Sequence, residues 1–156
     1  MTPEKSHFLY PAALFAPDEP HFINTILGSC VAVCLWDPTL NKGGMAHYML
    51  PLWNGEGLAS PKYGNIAIER LLEKLQSFGS RKYNVKAKIF GGGEVIDTQT
   101  PYFNIGRRNI ELAEEMLGDL RIPIVGSSTG GKRGRKIIFN TFTGEVRQRY
   151  VQRQGE

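Results

Sequence analysis

At 156 residues the chain has the length of one ordinary domain and is too short for two. Hydrophobic residues at 41% and charged residues at 22% are globular proportions, which excludes a disordered chain and permits a core without covalent staples. Two cysteines, Cys30 and Cys34, cannot build a disulfide framework, no apolar run approaches the roughly 18 residues of a membrane span, and Met1 opens a polar stretch unlike a secretory leader. In chain order, His7 to Phe15 reads as a first strand. Phe22 to Leu27 leads into a break at Gly28-Ser29. Val31 to Trp36 is almost wholly apolar and β-prone, the pattern of a central strand buried on both faces. Asp37-Pro38 stops it, and Met45 to Leu50 returns as an antiparallel neighbour. Residues 52–62, with Gly55, Gly57 and Pro61, read as a mobile surface loop carrying Trp53.

A helix is expected from Asn65 to Phe78, because Ile68, Leu71, Leu72 and Leu75 form one apolar stripe, and Gly79 suits its C-terminal cap. Val85, Ala87 and Ile89 alternate with lysines, predicting a half-exposed strand that ends in Gly91-Gly92-Gly93. The glycine run lacks a phosphate-loop pattern and suits close backbone packing or the wall of a groove. A second helix is expected from Arg107 to Leu117, with Ile110, Ala113, Met116 and Leu117 inward and Gly118 as its end. Ile122 to Val125, Arg135 to Thr141 and Glu145 to Val151 read as strands. The sum is one α/β domain over 1–156, with mainly antiparallel sheets packed together and flanked by two main helices. The net charge of +4 is uneven, since residues 121–156 hold eight Lys/Arg against two Glu. This basic end, densest at Gly130 to Lys136, suits an acidic partner or a solvated face. An aromatic-plus-basic pattern for nucleic acid is missing.

The chemistry-bearing group is Leu27-Gly28-Ser29-Cys30 with His47. Small residues at Gly28 and Ser29 let a substrate approach the Cys30 sulfur and leave backbone N–H groups for an oxyanion. A nucleophilic thiol needs a base or a cation beside it, and His47 is the histidine on a predicted core strand, unlike His7 and His21. Free cysteines are also common core filler. A hairpin turning at residues 38–42 would set Cys34 nearly opposite His47 and leave Cys30 about 10 Å away, so Cys34 is a rival thiol. Its apolar neighbours Val33 and Leu35 disfavour ionisation there. Metal spacing is absent, and no cofactor or metal is expected.

Thr25 with Leu27 to Asp37, then Gly44 to Pro51 with His47, resembles the CheD family of chemoreceptor glutamine deamidases. The resemblance runs on through Phe90 to Glu94, Ile105 to Asn109, Gly130 to Lys136 and Phe139 to Val146. It implies hydrolysis of glutamine side chains on methyl-accepting chemotaxis receptors, in the cytoplasm, with Cys30 as nucleophile and His47 as catalytic histidine. His47 would be protonated in a resting ion pair. It also implies a threonine that orients the histidine. Thr25 is the match, with Asn24 beside it as the alternative. The resemblance implies a fold similar to the catalytic domains of deamidating toxins (cytotoxic necrotizing factor) and a partner, the phosphatase CheC. Ser127-Ser128-Thr129 departs from the family's aspartate before paired glycines. A non-catalytic receptor- or CheC-binding adaptor is the alternative function.

Overall fold

The computed structural model describes residues 2–94 and 104–151. Among the described residues nine strands and two α-helices succeed one another, with a short 3-10 turn at Lys82–Asn84: β1 (Lys5–Phe8), β2 (Ala13–Phe15), β3 (His21–Leu27), β4 (Val31–Asp37), β5 (Lys42–Tyr48), α1 (Gly64–Ser77), β6 (Lys86–Gly91), α2 (Ile105–Asp119), β7 (Ile124–Thr129), β8 (Arg135–Asn140) and β9 (Val146–Tyr150). They build two sheets, one of order β1-β3-β8-β9 and one of order β2-β5-β4-β6-β7. Five of the strand pairings are antiparallel. β1 with β3 and β6 with β7 run parallel, so both sheets are mixed rather than simply antiparallel.

Alternation along β4 explains the three layers. Val31, Val33 and Leu35 meet Ile68, Leu71 and Leu75 of α1 and Ala113 and Leu117 of α2. Ala32 and Cys34 point the other way, toward Ile23, Leu27, Ile137 and Phe139 of the four-stranded sheet. A strand with period-two side chains and an apolar residue at nearly every position is therefore covered on both faces. The helices form the outer layer on one side, and the four-stranded sheet closes the other.

Several expectations are corrected. The predicted first strand is two strands in different sheets, because Pro11 and Ala12 form a turn, with Ala12 at φ 65°. β1 lies beside β3 and β2 beside β5, so this turn hands the chain from one layer to the other. β6 is an interior strand between β4 and β7 rather than a half-exposed one. Its Lys88 lies on the inter-sheet side, where the ammonium donates to the Gly144 carbonyl at 2.8 Å. β7 starts at Ile124, beyond Pro123, and runs on through Thr129.

Both helices close alike, but only one with the residue expected. After α1, Gly79 takes φ 101° and the Ser80 N–H bonds the Leu75 carbonyl at 3.1 Å. α2 passes through Gly118 and ends at Asp119; two residues on, Arg121 takes φ 59° and the Ile122 N–H bonds the Leu117 carbonyl at 2.9 Å. Packing of Leu117 and Ile122 sets that end more strongly than glycine's permissiveness. On the inner face of α2, Gly106 and Asn109 are buried beside Ala113 and Leu117, while Ile110 and Met116 are only partly covered.

Candidate active site

The turn between β4 and β5 fixes the register of the two strands. His47 pairs with Ala32 and Met45 with Cys34, so Cys34 stands two positions from the histidine where the expected turn would set it nearly opposite. His47 is two positions along the ladder from each cysteine and shares their face, the one toward the four-stranded sheet. On its other side His47 pairs with Ala13 of β2. Alanine on both flanks leaves the imidazole room. Cys30 stands one residue before β4, diagonal to His47, a separation of about 7–8 Å between backbones that a thiol and an imidazole can span.

Burial separates the two thiols. Cys34 is 1% exposed and fully enclosed, and loss of solvent drives its thiol far above the usual range. Cys30 is only partly buried and is the one a substrate can reach. Its pKa is also raised by burial, with its own amide N–H opposing.

His47 is held from the opposite sheet. Thr25 of β3 is fully buried, and its hydroxyl lies 2.8 Å from His47 Nδ1. The same hydroxyl donates its single proton to the Leu9 carbonyl at 2.7 Å. It can then only accept from the imidazole, so Nδ1 carries the hydrogen and neutral His47 presents a lone pair at Nε2. That Nε2 is buried and has no hydrogen-bond partner among the described residues. Asn24, the alternative to Thr25, turns away and donates to the Ser6 hydroxyl and the His7 carbonyl.

Burial pushes His47 down to about 4, the Leu9 carbonyl opposing. A raised thiol and a lowered imidazole both favour the uncharged pair. Burial thus disfavours the charged form of each group, against the resting thiolate–imidazolium pair that the resemblance implies. Iodoacetamide labelling of Cys30 is expected to climb about tenfold per pH unit from pH 7 to 9 and to keep rising above it. Cys34 should react at least about a hundredfold more slowly in the folded chain. A labelling rate that is flat between pH 5 and 8, measured by mass spectrometry, would show an ion pair instead.

The backbone around the thiol is clamped carbonyl by carbonyl. Gly28 O accepts from the Gly93 N–H at 2.9 Å, Ser29 O from Asn109 Nδ2 at 3.0 Å, and Cys30 O from the Gly92 N–H at 2.8 Å. In a trans peptide the C=O and N–H point in opposite directions. Fixing the carbonyls of Gly28 and Ser29 therefore turns the N–H groups of Ser29 and Cys30 to the opposite side. Neither N–H bonds a backbone carbonyl in a turn or loop among the described residues.

The glycine run supplies this clamp by close approach. A Cβ on Gly91, at φ 101°, would stand 2.3 Å from the Cys30 carbonyl oxygen. One on Gly92 would stand 2.4 Å from Ile110 of α2. The basic turn adjoins it, with the Gly130 N–H on Gly91 O at 2.9 Å and the Glu94 N–H on Gly131 O at 2.7 Å. Buried Arg135 joins the two loops through Gly91 O at 3.2 Å and Gly130 O at 2.5 Å. Its Nε lies 3.3 Å from the hydroxyl of Ser128.

Arg135 and Asn109 were not singled out as functional in the sequence. A polar Asn109 one helical turn before Ala113, in the apolar stripe of α2, was the available signal. Among the described residues no group of three His, Cys, Asp or Glu side chains gathers to hold a metal ion, and no helix is long and apolar enough to cross a membrane.

The family model described as CheD chemotactic sensory transduction matches residues 49–150. The chain is 54% identical over 145 residues to the probable chemoreceptor glutamine deamidase CheD of Trichlorobacter lovleyi, spanning 93% of this chain and 90% of that one. It is 45% identical over 148 residues to the protein of the same name in Sulfurimonas denitrificans, spanning 94% of each. Among solved structures, Bacillus licheniformis hypothetical protein YfiH overlaps 70% of this chain and 49% of its own, with a TM-score of 0.45 and 18% identity.

Proposed function

The chain belongs to the CheD family, and on that premise we propose that it hydrolyses particular glutamine side chains of methyl-accepting chemotaxis receptors to glutamate, with Cys30 as nucleophile, His47 as proton carrier and Thr25 as the group that orients it. The observation that carries the assignment is the orphaned, buried Nε2 of His47, its other nitrogen anchored by Thr25, on the face that also holds the accessible thiol.

The chemistry follows from the neutral pair. Nε2 takes the thiol proton as Sγ attacks the carboxamide carbon. The oxygen that becomes negative is received by the N–H groups of Ser29 and Cys30. Imidazolium, newly formed, returns its proton to the leaving nitrogen, which departs as ammonia and leaves a thioester. Neutral Nε2 then takes a proton from water, hydroxide adds to the thioester carbon, and glutamate leaves as the thiol is restored. Thr25 keeps the imidazole in one tautomer throughout, the part a third residue plays in any such trio.

The receptor substrate implies a cytoplasmic setting, and two unpaired thiols suit it. The basic turn at residues 130–136 borders the Cys30 clamp, so glutamates flanking a target glutamine would meet positive charge there. CheC is the regulatory partner proposed for organisms that have it. Packed sheets carrying a Cys–His pair also suit kinship with the catalytic domains of deamidating toxins.

The test is to incubate the protein with a receptor cytoplasmic fragment and follow peptide masses. Conversion of glutamine adds about one mass unit per site and releases ammonia. Binding of the fragment with no mass gain would mark the chain as an adaptor.

A further inference from the structure

Asn109 is fully buried in α2, on the side of the five-stranded sheet opposite His47, yet it touches both strand ends that carry the catalytic pair. Its Nδ2 donates to Ser29 O and to Met49 O, each at 3.0 Å. The residue before Cys30 and the second residue after His47 are thus joined by one carboxamide. Its backbone carbonyl accepts from the hydroxyl of buried Tyr48. With two carbonyls facing the same atom of the side chain, only the nitrogen can occupy that place, so the amide orientation is determined. Among the described residues its Oδ1 is buried without a partner. A buried carboxamide left half satisfied is a costly choice where a leucine would pack, and such a choice needs a reason.

Resting on the assignment of Cys30 as nucleophile, we propose that Asn109 is a positioning residue for the oxyanion. By drawing the Ser29 carbonyl toward the helix layer it turns the N–H of the same peptide, that of Cys30, toward the substrate side. By drawing Met49 it holds the end of the histidine strand in step with the thiol. It touches neither substrate nor reacting atoms.

The readout is the split between kcat and KM for deamidation of a receptor fragment, taken at a temperature where each variant is folded by circular dichroism. Asn109→Ala is expected to lower kcat about 10- to 100-fold and leave KM within about threefold, because the oxyanion exists only along the reaction path. Leu117→Ala, from the same helix and the same buried face, is the control for lost packing and should leave kcat within about threefold. Asn109→Asp keeps the shape and sets a carboxylate against two carbonyls. Its kcat should be low at pH 8 and recover several-fold at pH 5.5, where the acid form can donate one hydrogen bond again.

An Asn109→Ala kcat equal to that of Leu117→Ala overturns the proposal, as does an Asn109→Asp variant whose activity follows pH as the wild type does. Should Asn109→Ala not fold, Asn109→Asp decides alone. An inactive wild type would instead defeat the functional assignment.

Discussion

Cys30→Ala is expected to abolish the conversion of receptor glutamines, lowering kcat by about 10⁴-fold or more, while the variant still binds the receptor fragment. No other described thiol can take over. Cys34 is sealed between the sheets, and its proton is held far more tightly than that of an accessible cysteine. Cys34→Ala should accordingly keep kcat within a few-fold while losing about 1–2 kcal/mol of stability to the small cavity it opens. The two variants, compared by mass spectrometry of the receptor fragment and by urea unfolding, divide chemistry from packing between cysteines four residues apart. Activity surviving Cys30→Ala and vanishing in Cys34→Ala would reverse the assignment.

Gly91→Ala is expected to be the most damaging small substitution at the site. The added methyl meets the Cys30 carbonyl oxygen at 2.3 Å and the Leu27 side chain at 3.2 Å, at a φ of 101° that alanine resists. The obstacle on one side is backbone and cannot rotate away. Left-handed strain alone costs about 1–2 kcal/mol, and the displaced clamp should bring the loss to about 3–5 kcal/mol. A fall in melting temperature on the order of 10 °C is expected for a domain of this size. Gly118 makes the contrast. It lies within α2 with nothing within 4 Å of an added Cβ, and Gly118→Ala should stabilise by about 1 kcal/mol. Equal melting temperatures for the two variants would show that the Gly91 clamp does not bear on the Cys30 segment.

The readable parts of this sequence were those where one local pattern had one structural outcome. The apolar run of β4 and the i, i+3, i+4, i+7 stripe of α1 each fit only one kind of element, and both formed within a residue or two of expectation. Cys30 and His47 were visible as residue types in suitable settings. Their placement on one face was not, because a shift in turn position moves every cross-strand partner, and Pro38 to Asn41 set the turn differently from the spacing assumed.

Other features depend on contacts distant in sequence. The turn at Pro11-Ala12 divides what reads as a single strand, since the two pieces find partners in different layers. Arg121 adopts the left-handed position that Gly118 seemed to offer because Leu117 and Ile122 are held by the core. The burial that lowers the imidazole of His47 depends on distant contacts too. Residue types alone suggest an ion pair with Cys30, whereas the burial of His47 is a property of the assembled layers.

The bond between Thr25 and His47 crosses from one sheet to the other, with the Leu9 carbonyl behind it at the crossing point of the chain. Neither layer contains a competent imidazole by itself. Turnover is in that sense a gauge of the gap between the sheets. If His47 is the proton carrier proposed above, a force that parts them by an ångström is expected to cut activity while every strand and helix stays intact.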